Sequence, residues 1–290
     1  MDTPSVEIIQ ADFAETLGRV AVMGGADLIL TSPPYADART YGAAVSWTMA
    51  DYQRLGDAVK PALKPGGHCL MVLDAPVREW RPGYGTERGF LPWLVMLDWA
   101  ERVGLRVPDR LAYGRGGTVG EYRGRFRNDW EPLLWFQRTG ADGFFDRWPL
   151  ARKTEAFAGH LASNRRPDGW YQRDMTGRAA AEGWAHRGTL WQYGHVGNGH
   201  DIQGEDTDHP ARFFSGFAED AVRCFCPPGG LVVDPFSGSG TSAVAAAKHG
   251  RRFLGGDLLT RPSDGKPWAE VAMERVRAAT AQQTLFGGAA

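Results

Sequence analysis

The sequence predicts an α/β fold built on a mainly parallel sheet, and three observations lead there. Short apolar runs alternate with amphipathic stretches through both ends of the chain, the pattern of strands joined by crossover helices. Two helix-like stretches are stopped by Lys64-Pro65-Gly66-Gly67 and by Pro227-Pro228-Gly229-Gly230, each followed at once by another apolar run. Two of the apolar runs end directly on chemically distinctive segments, Thr31–Tyr35 and Asp234–Thr241, at the strand ends where open α/β sheets carry their ligands.

Taken in order, Val6 to Ile9 and Ala26 to Leu30 are compact apolar runs and read as buried strands. Asp51 to Leu63 has apolar residues at helical spacing, and His68 to Leu73 is the strand beyond its stop. Leu91 to Val103 reads as a helix, and Arg110 to Tyr113 and Pro132 to Phe136 as strands separated by an Arg- and Gly-rich loop. Gly140 to Trp191 shows little periodicity and is rich in Arg, Gly, Trp and Asp, so residues 140–200 are taken as an insertion. Order returns with a helix over Arg212 to Phe225, a strand over Leu231 to Val233, an alanine-dense helix over Thr241 to His249 and a strand over Arg252 to Gly255. Residues 1–139 and 201–279 then form two halves of one domain, and 280–290 a loose tail.

A chain of 290 residues can bury a substantial core. Its 43% hydrophobic and 23% charged residues exclude a mainly disordered protein. The net charge of -1 hides an asymmetry: Ala75 to Leu190 holds 18 Arg and one Lys against 14 Asp and Glu, a net +5, which leaves -6 for the rest. A nucleic-acid partner would therefore be met by the middle of the chain. Cys69, Cys224 and Cys226 cannot build a disulfide framework, and no second Cys or His pair stands at zinc spacing, so no metal and a reducing cytoplasmic location are expected. No apolar run approaches the ~18 residues that span a bilayer, and no secretory pattern is seen, so no membrane partner is expected.

The segment Asp234-Pro235-Phe236-Ser237-Gly238-Ser239-Gly240-Thr241 lies between a strand and a helix. Glycines there let the backbone approach a ligand, and the helix start offers unpaired N–H groups. Asp257 follows the next strand, 23 positions after Asp234, a spacing that suits ribose hydroxyls in a nucleotide-binding βαβ unit. No Gly-Lys-Ser/Thr follows, which argues against a phosphate loop. Alone, the segment is also compatible with a tight turn capped by a structural Asp. In Thr31-Ser32-Pro33-Pro34-Tyr35 two prolines stiffen a loop that can aim the Ser32 hydroxyl and the Pro33 carbonyl at one amino group, with the Tyr35 ring beside it. Alone, this is also a rigid surface turn.

Together the two segments resemble the amino-methylating DNA methyltransferases, whose target-base motif is Ser, Asn or Asp followed by Pro-Pro-Tyr/Phe and whose cofactor motif is of the Asp-Pro-Phe-x-Gly-Ser-Gly-Thr type. The likeness runs from about Val6 to Arg277, and the target-base motif precedes the cofactor motif, as in the permuted beta group. It implies a Rossmann-like methyltransferase fold with circularly permuted motif order and an inserted target-recognition region. It also implies S-adenosylmethionine as cofactor and transfer to an exocyclic base nitrogen of double-stranded DNA. Ser32, Pro33, Pro34 and Tyr35 would hold the flipped base, and Asp234, Pro235, Phe236, Gly238, Gly240 and Thr241 would line the cofactor's methionine side. Asp257 would take the ribose, where the family more often has Glu, and Asp12 would lie near the adenine. The stretch His209-Pro210-Ala211-Arg212-Phe213 resembles the family's His-Pro-Ala segment before the cofactor half, which adds His209, Pro210 and Phe213 to the cofactor site. Asp129-Trp130-Glu131-Pro132 resembles the acidic residue and strand opposite the target pocket, or is simply a sheet strand.

Ser at position 32 resembles the cytosine-N4 enzymes, and adenine N6 is the alternative. Cytosine C5 chemistry needs a nucleophilic Cys after Pro, whereas Cys226 precedes Pro227 near the other motif. A flipped base calls for a basic cleft and stacking side chains. Residues 140–191 offer Arg147, Arg152, Arg165, Arg166, Arg173, Arg178 and Arg187 for phosphates or guanines, and Trp148, Trp170, Tyr171 and Trp184 for stacking. Any one of these arginines is more simply a solvated charge, and any one tryptophan core. Gln282-Gln283-Thr284-Leu285-Phe286 resembles peptides that dock on replication sliding clamps, although a loose helix end beyond Ala279 is the favoured reading. The resemblance leaves room for a cognate restriction endonuclease as partner. Rival readings are methylation of RNA or of protein glutamine, whose enzymes usually carry the cofactor motif first, and an inactive DNA-binding module on the same fold.

Overall fold

The computed structural model describes residues 5–35, 47–79, 86–114, 126, 128–153, 162–165, 171–174, 184–193 and 214–286. In chain order the elements are β1 (Val6–Ile9), α1 (Phe13–Val22), β2 (Ala26–Thr31), α2 (Met49–Ala62), β3 (Leu63–Val72), β4 (Val77–Glu79), β5 (Thr86–Arg88) and α3 (Leu91–Asp98). They continue with β6 (Arg110–Gly114), β7 (Trp130–Gln137), β8 (Arg152–Lys153), β9 (Ala162–Arg165), β10 (Tyr171–Asp174), β11 (Trp184–Ala185) and β12 (Leu190–Gln192). The last are α4 (Ser215–Phe225), β13 (Leu231–Asp234), α5 (Thr241–Lys248), β14 (Arg252–Gly256) and α6 (Trp268–Phe286).

Eight strands form one sheet in the order β1-β14-β13-β2-β3-β7-β6-β12. All neighbours pair in parallel except at β7, which runs against both β3 and β6. The mainly parallel α/β sheet read from the sequence is therefore the observed one. From β13 the chain crosses through α5 outward to β14, and from β2 it crosses through α2 the other way to β3. The crevice between β13 and β2 is thus where the winding reverses, the place where open α/β sheets bind ligands.

Strand alternation divides the core between two faces. On β2 and β3, Ile29, Cys69 and Met71 join Leu17 of α1, Leu55 and Val59 of α2, and Val95 of α3. Leu28, Leu30, Leu70 and Val72 point the other way, to Phe217 and Val222 of α4 and Ala243 and Ala246 of α5. The alanines of α5 leave room for the helix to lie close on the sheet. On the first face the α2 backbone meets a ring: a methyl group on Gly56 would stand 2.6 Å from the indole nitrogen of Trp99, which donates to the Tyr52 carbonyl at 2.9 Å.

Several expectations shift. The pairing of Ala26 with Leu63 and of Leu28 with His68 starts β3 before the Lys64–Gly67 turn, which loops out of register. The helix over 91–103 finishes in a widened π turn from Trp99 to Val103, closed by Gly104 at φ +72°. The α4 helix begins at Ser215, and residues 212 and 213 lie outside the described residues. The segment read as an insertion supplies β12, and its Leu150 and Trp191 both belong to the second core face, so these described parts of it are built into the main body. Of the stretch 280–290 read as a loose tail, the residues to Phe286 continue the helix α6.

Candidate active site

The ends of β13 and β2 meet through polar side chains. Asp234 closes β13 and is 2% exposed. Its Oδ1 accepts from the Thr31 hydroxyl at 2.8 Å and from the Phe236 N–H at 3.1 Å, and its Oδ2 accepts from the Ser242 hydroxyl. Burial raises its pKa to about 6, against the pull of those hydrogen bonds. The bond from Thr31 joins the last residue of β2 to the last residue of β13, so one carboxylate links the two segments singled out in the sequence.

The glycine loop after β13 holds its shape through the neighbouring strand. Ser237 donates to the Gly256 carbonyl from both its N–H, at 3.0 Å, and its hydroxyl, at 3.1 Å. Asp257 accepts from the Gly238 N–H at 2.8 Å and from the Leu259 N–H at 2.8 Å, and burial raises its pKa. Gly240 starts α5 at φ +81°, and a methyl group there would stand 2.6 Å from Cβ of Ala272 in α6. Pro235, Gly238 and Gly240 are buried, while Phe236 and Thr241 are half-buried. Asp12 follows β1 and caps α1 by accepting from the Glu15 N–H at 2.8 Å. The Asp257 N–H donates to the Ile9 carbonyl at 3.2 Å, which brings the ends of β1 and β14 together. His209, Pro210 and Phe213 lie outside the described residues.

The loop after β2 is clamped from outside. Ser32 and Pro34 are half-buried, and Pro33 and Tyr35 are buried. Tyr52 of α2 donates its hydroxyl to the Pro34 carbonyl at 2.6 Å. Tyr35, 4% exposed, donates to Oε2 of Glu131 at 3.1 Å, and the Ser32 hydroxyl donates to the Tyr35 oxygen at 3.4 Å. Glu131, 3% exposed, stands at the start of β7, the one strand that brings its amino end to this rim. Trp130 and Glu131 thus begin a sheet strand, and Glu131 also meets the Ser-Pro-Pro-Tyr loop.

Residues the sequence did not single out complete the site. Trp47 lies edge-on to Phe236, with ring centroids 5.3 Å apart, and to Tyr52 at 5.1 Å, and Phe13 lies 5.7 Å away. This aromatic wall joins the cofactor-motif Phe236 to the tyrosine that holds Pro34. Only Tyr52 gave a signal, as a hydroxyl on the buried face of an amphipathic helix. Asp74, just beyond β3, is buried and takes the guanidinium of Arg88, with the Asn128 amide at 3.4 Å.

In the basic region Arg147, Trp148 and Arg152 are exposed, with Trp148 edge-on to His186 at 4.5 Å. Arg187 is not available to a ligand. It donates to Asp220 at 2.9 Å and to the Tyr193 hydroxyl at 2.8 Å, fastening β12 to α4. The side chains of Arg165, Tyr171, Arg173 and Trp184 lie outside the described residues, as do Arg166, Trp170 and Arg178. Cys226 is buried, and burial pushes its thiol up to about 12, so it is no ready nucleophile. No described helix is long and apolar enough to cross a membrane.

A winding-reversal crevice with a glycine loop and acids on one side and a Ser-Pro-Pro-Tyr loop on the other marks an α/β fold with a ligand site at its strand ends. The chain belongs to the N6/N4 DNA methylase family, whose model matches residues 26–260. It is 25% identical over 257 residues to the orphan methyltransferase M.BamHII of Bacillus amyloliquefaciens, covering 87% of this chain and 88% of that one. Among solved structures, the M1.HpyAVI–SAM complex superposes with a TM-score of 0.57 at 19% identity, covering 93% of this chain and 98% of the other. The cytosine-N4-specific PvuII DNA methyltransferase superposes with a TM-score of 0.57 at 17% identity, covering 97% and 95%.

Proposed function

We propose that the protein transfers a methyl group from S-adenosylmethionine to the exocyclic N4 of cytosine in double-stranded DNA. The observation that carries this reading is the 2.8 Å bond from Thr31 to Asp234, which sets the Ser-Pro-Pro-Tyr loop directly beside the glycine loop. The donor set suits the cofactor: Asp12, Asp234 and Asp257 stand at three neighbouring strand ends, fitting a cationic ligand with ribose hydroxyls and lacking the lysine of a phosphate site. When bound, the cofactor supplies an electrophilic methyl group. Phe236, Gly238, Gly240 and Thr241 would border its methionine side. A relative in fold is itself a SAM complex.

On the other side of the crevice the Ser32 hydroxyl and Pro33 carbonyl accept from the target amine, Pro34 keeps the loop rigid and Tyr35 walls the pocket. Ser rather than Asp at position 32 favours cytosine N4, the specificity stated for the PvuII enzyme of the same fold. The order of the two motifs assigns the chain to the permuted beta group. Residues 140–200, with exposed Arg147, Trp148 and Arg152, are assigned to target recognition. The test is incubation with mixed-sequence duplex DNA and methyl-labelled S-adenosylmethionine, then nuclease digestion and mass spectrometry of the nucleosides. N4-methylcytosine is expected. N6-methyladenine would overturn the choice of base, and unlabelled DNA would overturn the enzyme reading in favour of another substrate or an inactive binding module.

A further inference from the structure

We propose that Ser32, Tyr35 and Glu131 form a proton relay that carries the proton leaving the target amine to a buried carboxylate. The relay rests on the function proposed above and adds to it a residue and a direction of proton flow. The Ser32 hydroxyl donates to the Tyr35 oxygen at 3.4 Å, and the Tyr35 hydroxyl donates to Glu131 Oε2 at 3.1 Å. Both hydrogen bonds run toward Glu131. The lone pairs of Ser32 are thereby left to receive an N–H from the substrate.

An amine that gains a methyl group carries one proton too many. As its N–C bond forms and the bond from the methyl carbon to sulfur breaks, the N–H proton passes to the Ser32 oxygen. The Ser32 proton passes to Tyr35, and the Tyr35 proton to Glu131. Each hydroxyl ends with one proton, as it began, and the charge gained by the amine is cancelled on the carboxylate. Return of the proton to solvent along the same chain resets the site. The 3.4 Å bond is long, as catalytic hydrogen bonds without substrate often are.

A neutral serine cannot hold that proton by itself, and this gives the buried acid a purpose. Carboxylates are costly to bury. Glu131 meets the hydroxyl of the Ser-Pro-Pro-Tyr loop from 96 positions away in sequence.

The test compares wild type, Glu131→Gln, Tyr35→Phe and the double variant in single-turnover methylation of mixed-sequence duplex DNA. Each single substitution should slow transfer by about 10²-fold, and the double variant should be no slower than either single one. Affinities for S-adenosylmethionine and for DNA should stay within about twofold. A second readout needs no turnover: in infrared spectra of the cofactor-free protein, the carboxylate band lost in Glu131→Gln should shift in Tyr35→Phe. Near-wild-type rates in Glu131→Gln, additive losses in the double variant, or an unshifted band would each overturn the relay. If Glu131→Gln unfolds, Tyr35→Phe, which removes a single oxygen, carries the same rate and band tests. A wild-type protein that methylates no DNA overturns the proposed function instead, and the infrared comparison still decides whether Tyr35 and Glu131 are linked.

Discussion

The two rims of the crevice are built in opposite ways. On the glycine-loop rim the bonds stay within one strand-helix-strand unit: Phe236 and Ser242 reach Asp234 from 2 and 8 positions away, and Gly238 reaches Asp257 over 19. One strand-helix-strand unit thus holds itself. On the Ser-Pro-Pro-Tyr rim the bonds come from other elements, Tyr52 of α2 to Pro34, Tyr35 to Glu131 of β7 over 96 positions and Thr31 to Asp234 of β13 over 203. The difference follows from composition. Proline has no N–H, so a loop with Pro33 and Pro34 has few backbone donors with which to hold its shape and is clamped by side chains of other elements. Glycines leave every N–H in place and let the backbone close on its own neighbours.

If the rims are separable, Tyr35→Ala should cut methyl transfer by about 10³-fold, since it removes both the pocket wall and the anchor to Glu131. The dissociation constant for S-adenosylmethionine should stay within about twofold, and a parallel loss of cofactor affinity would show that the rims are one unit. Substituting Gly240 by Ala tests the self-held side. With φ at +81° and its new methyl 2.6 Å from Ala272, the variant should lose about 2 kcal/mol in chemical denaturation and bind cofactor about tenfold more weakly. Unchanged stability would mean that the loop does not depend on its own geometry.

The smallest effect concerns Asp234, which belongs to both rims. Its carboxyl is raised to about 6 in the folded state, above the usual carboxylate range. The native state therefore holds this proton more tightly than the unfolded chain, and the stabilisation is present at low pH and lost as pH rises through about 6. Between pH 5 and 7 the wild type should lose roughly 1 kcal/mol relative to Asp234→Asn. Parallel curves for the two proteins in urea denaturation would place the carboxyl at its ordinary value and remove the strain from the junction.

The legible and illegible parts divide along the same line. The strands over Val6–Ile9 and Arg252–Gly256 and the alanine-dense helix over Thr241–Lys248 follow from local periodicity, and the structure has them within a residue of the reading. The glycine loop and Asp257 follow from spacing, and they meet at 2.8 Å. Trp47 gave no signal, because nothing in its own neighbourhood of the chain says that Phe236 will lie against it. Arg187 was grouped with surface charges because its partners, Tyr193 and Asp220, lie on two different elements.

The sequence by itself determined the alternation of strands and helices, the two chemical segments at strand ends and the family to which they point. These are local patterns, set by side-chain periodicity and backbone freedom over a few residues. Only the tertiary structure decided that β2 and β13 lie side by side, that the antiparallel β7 brings Glu131 to Tyr35, and that Asp234 serves as the joint between the rims. Those are pairings across about a hundred residues or more, and they form because burying two apolar faces of a single sheet fixes the order of its strands.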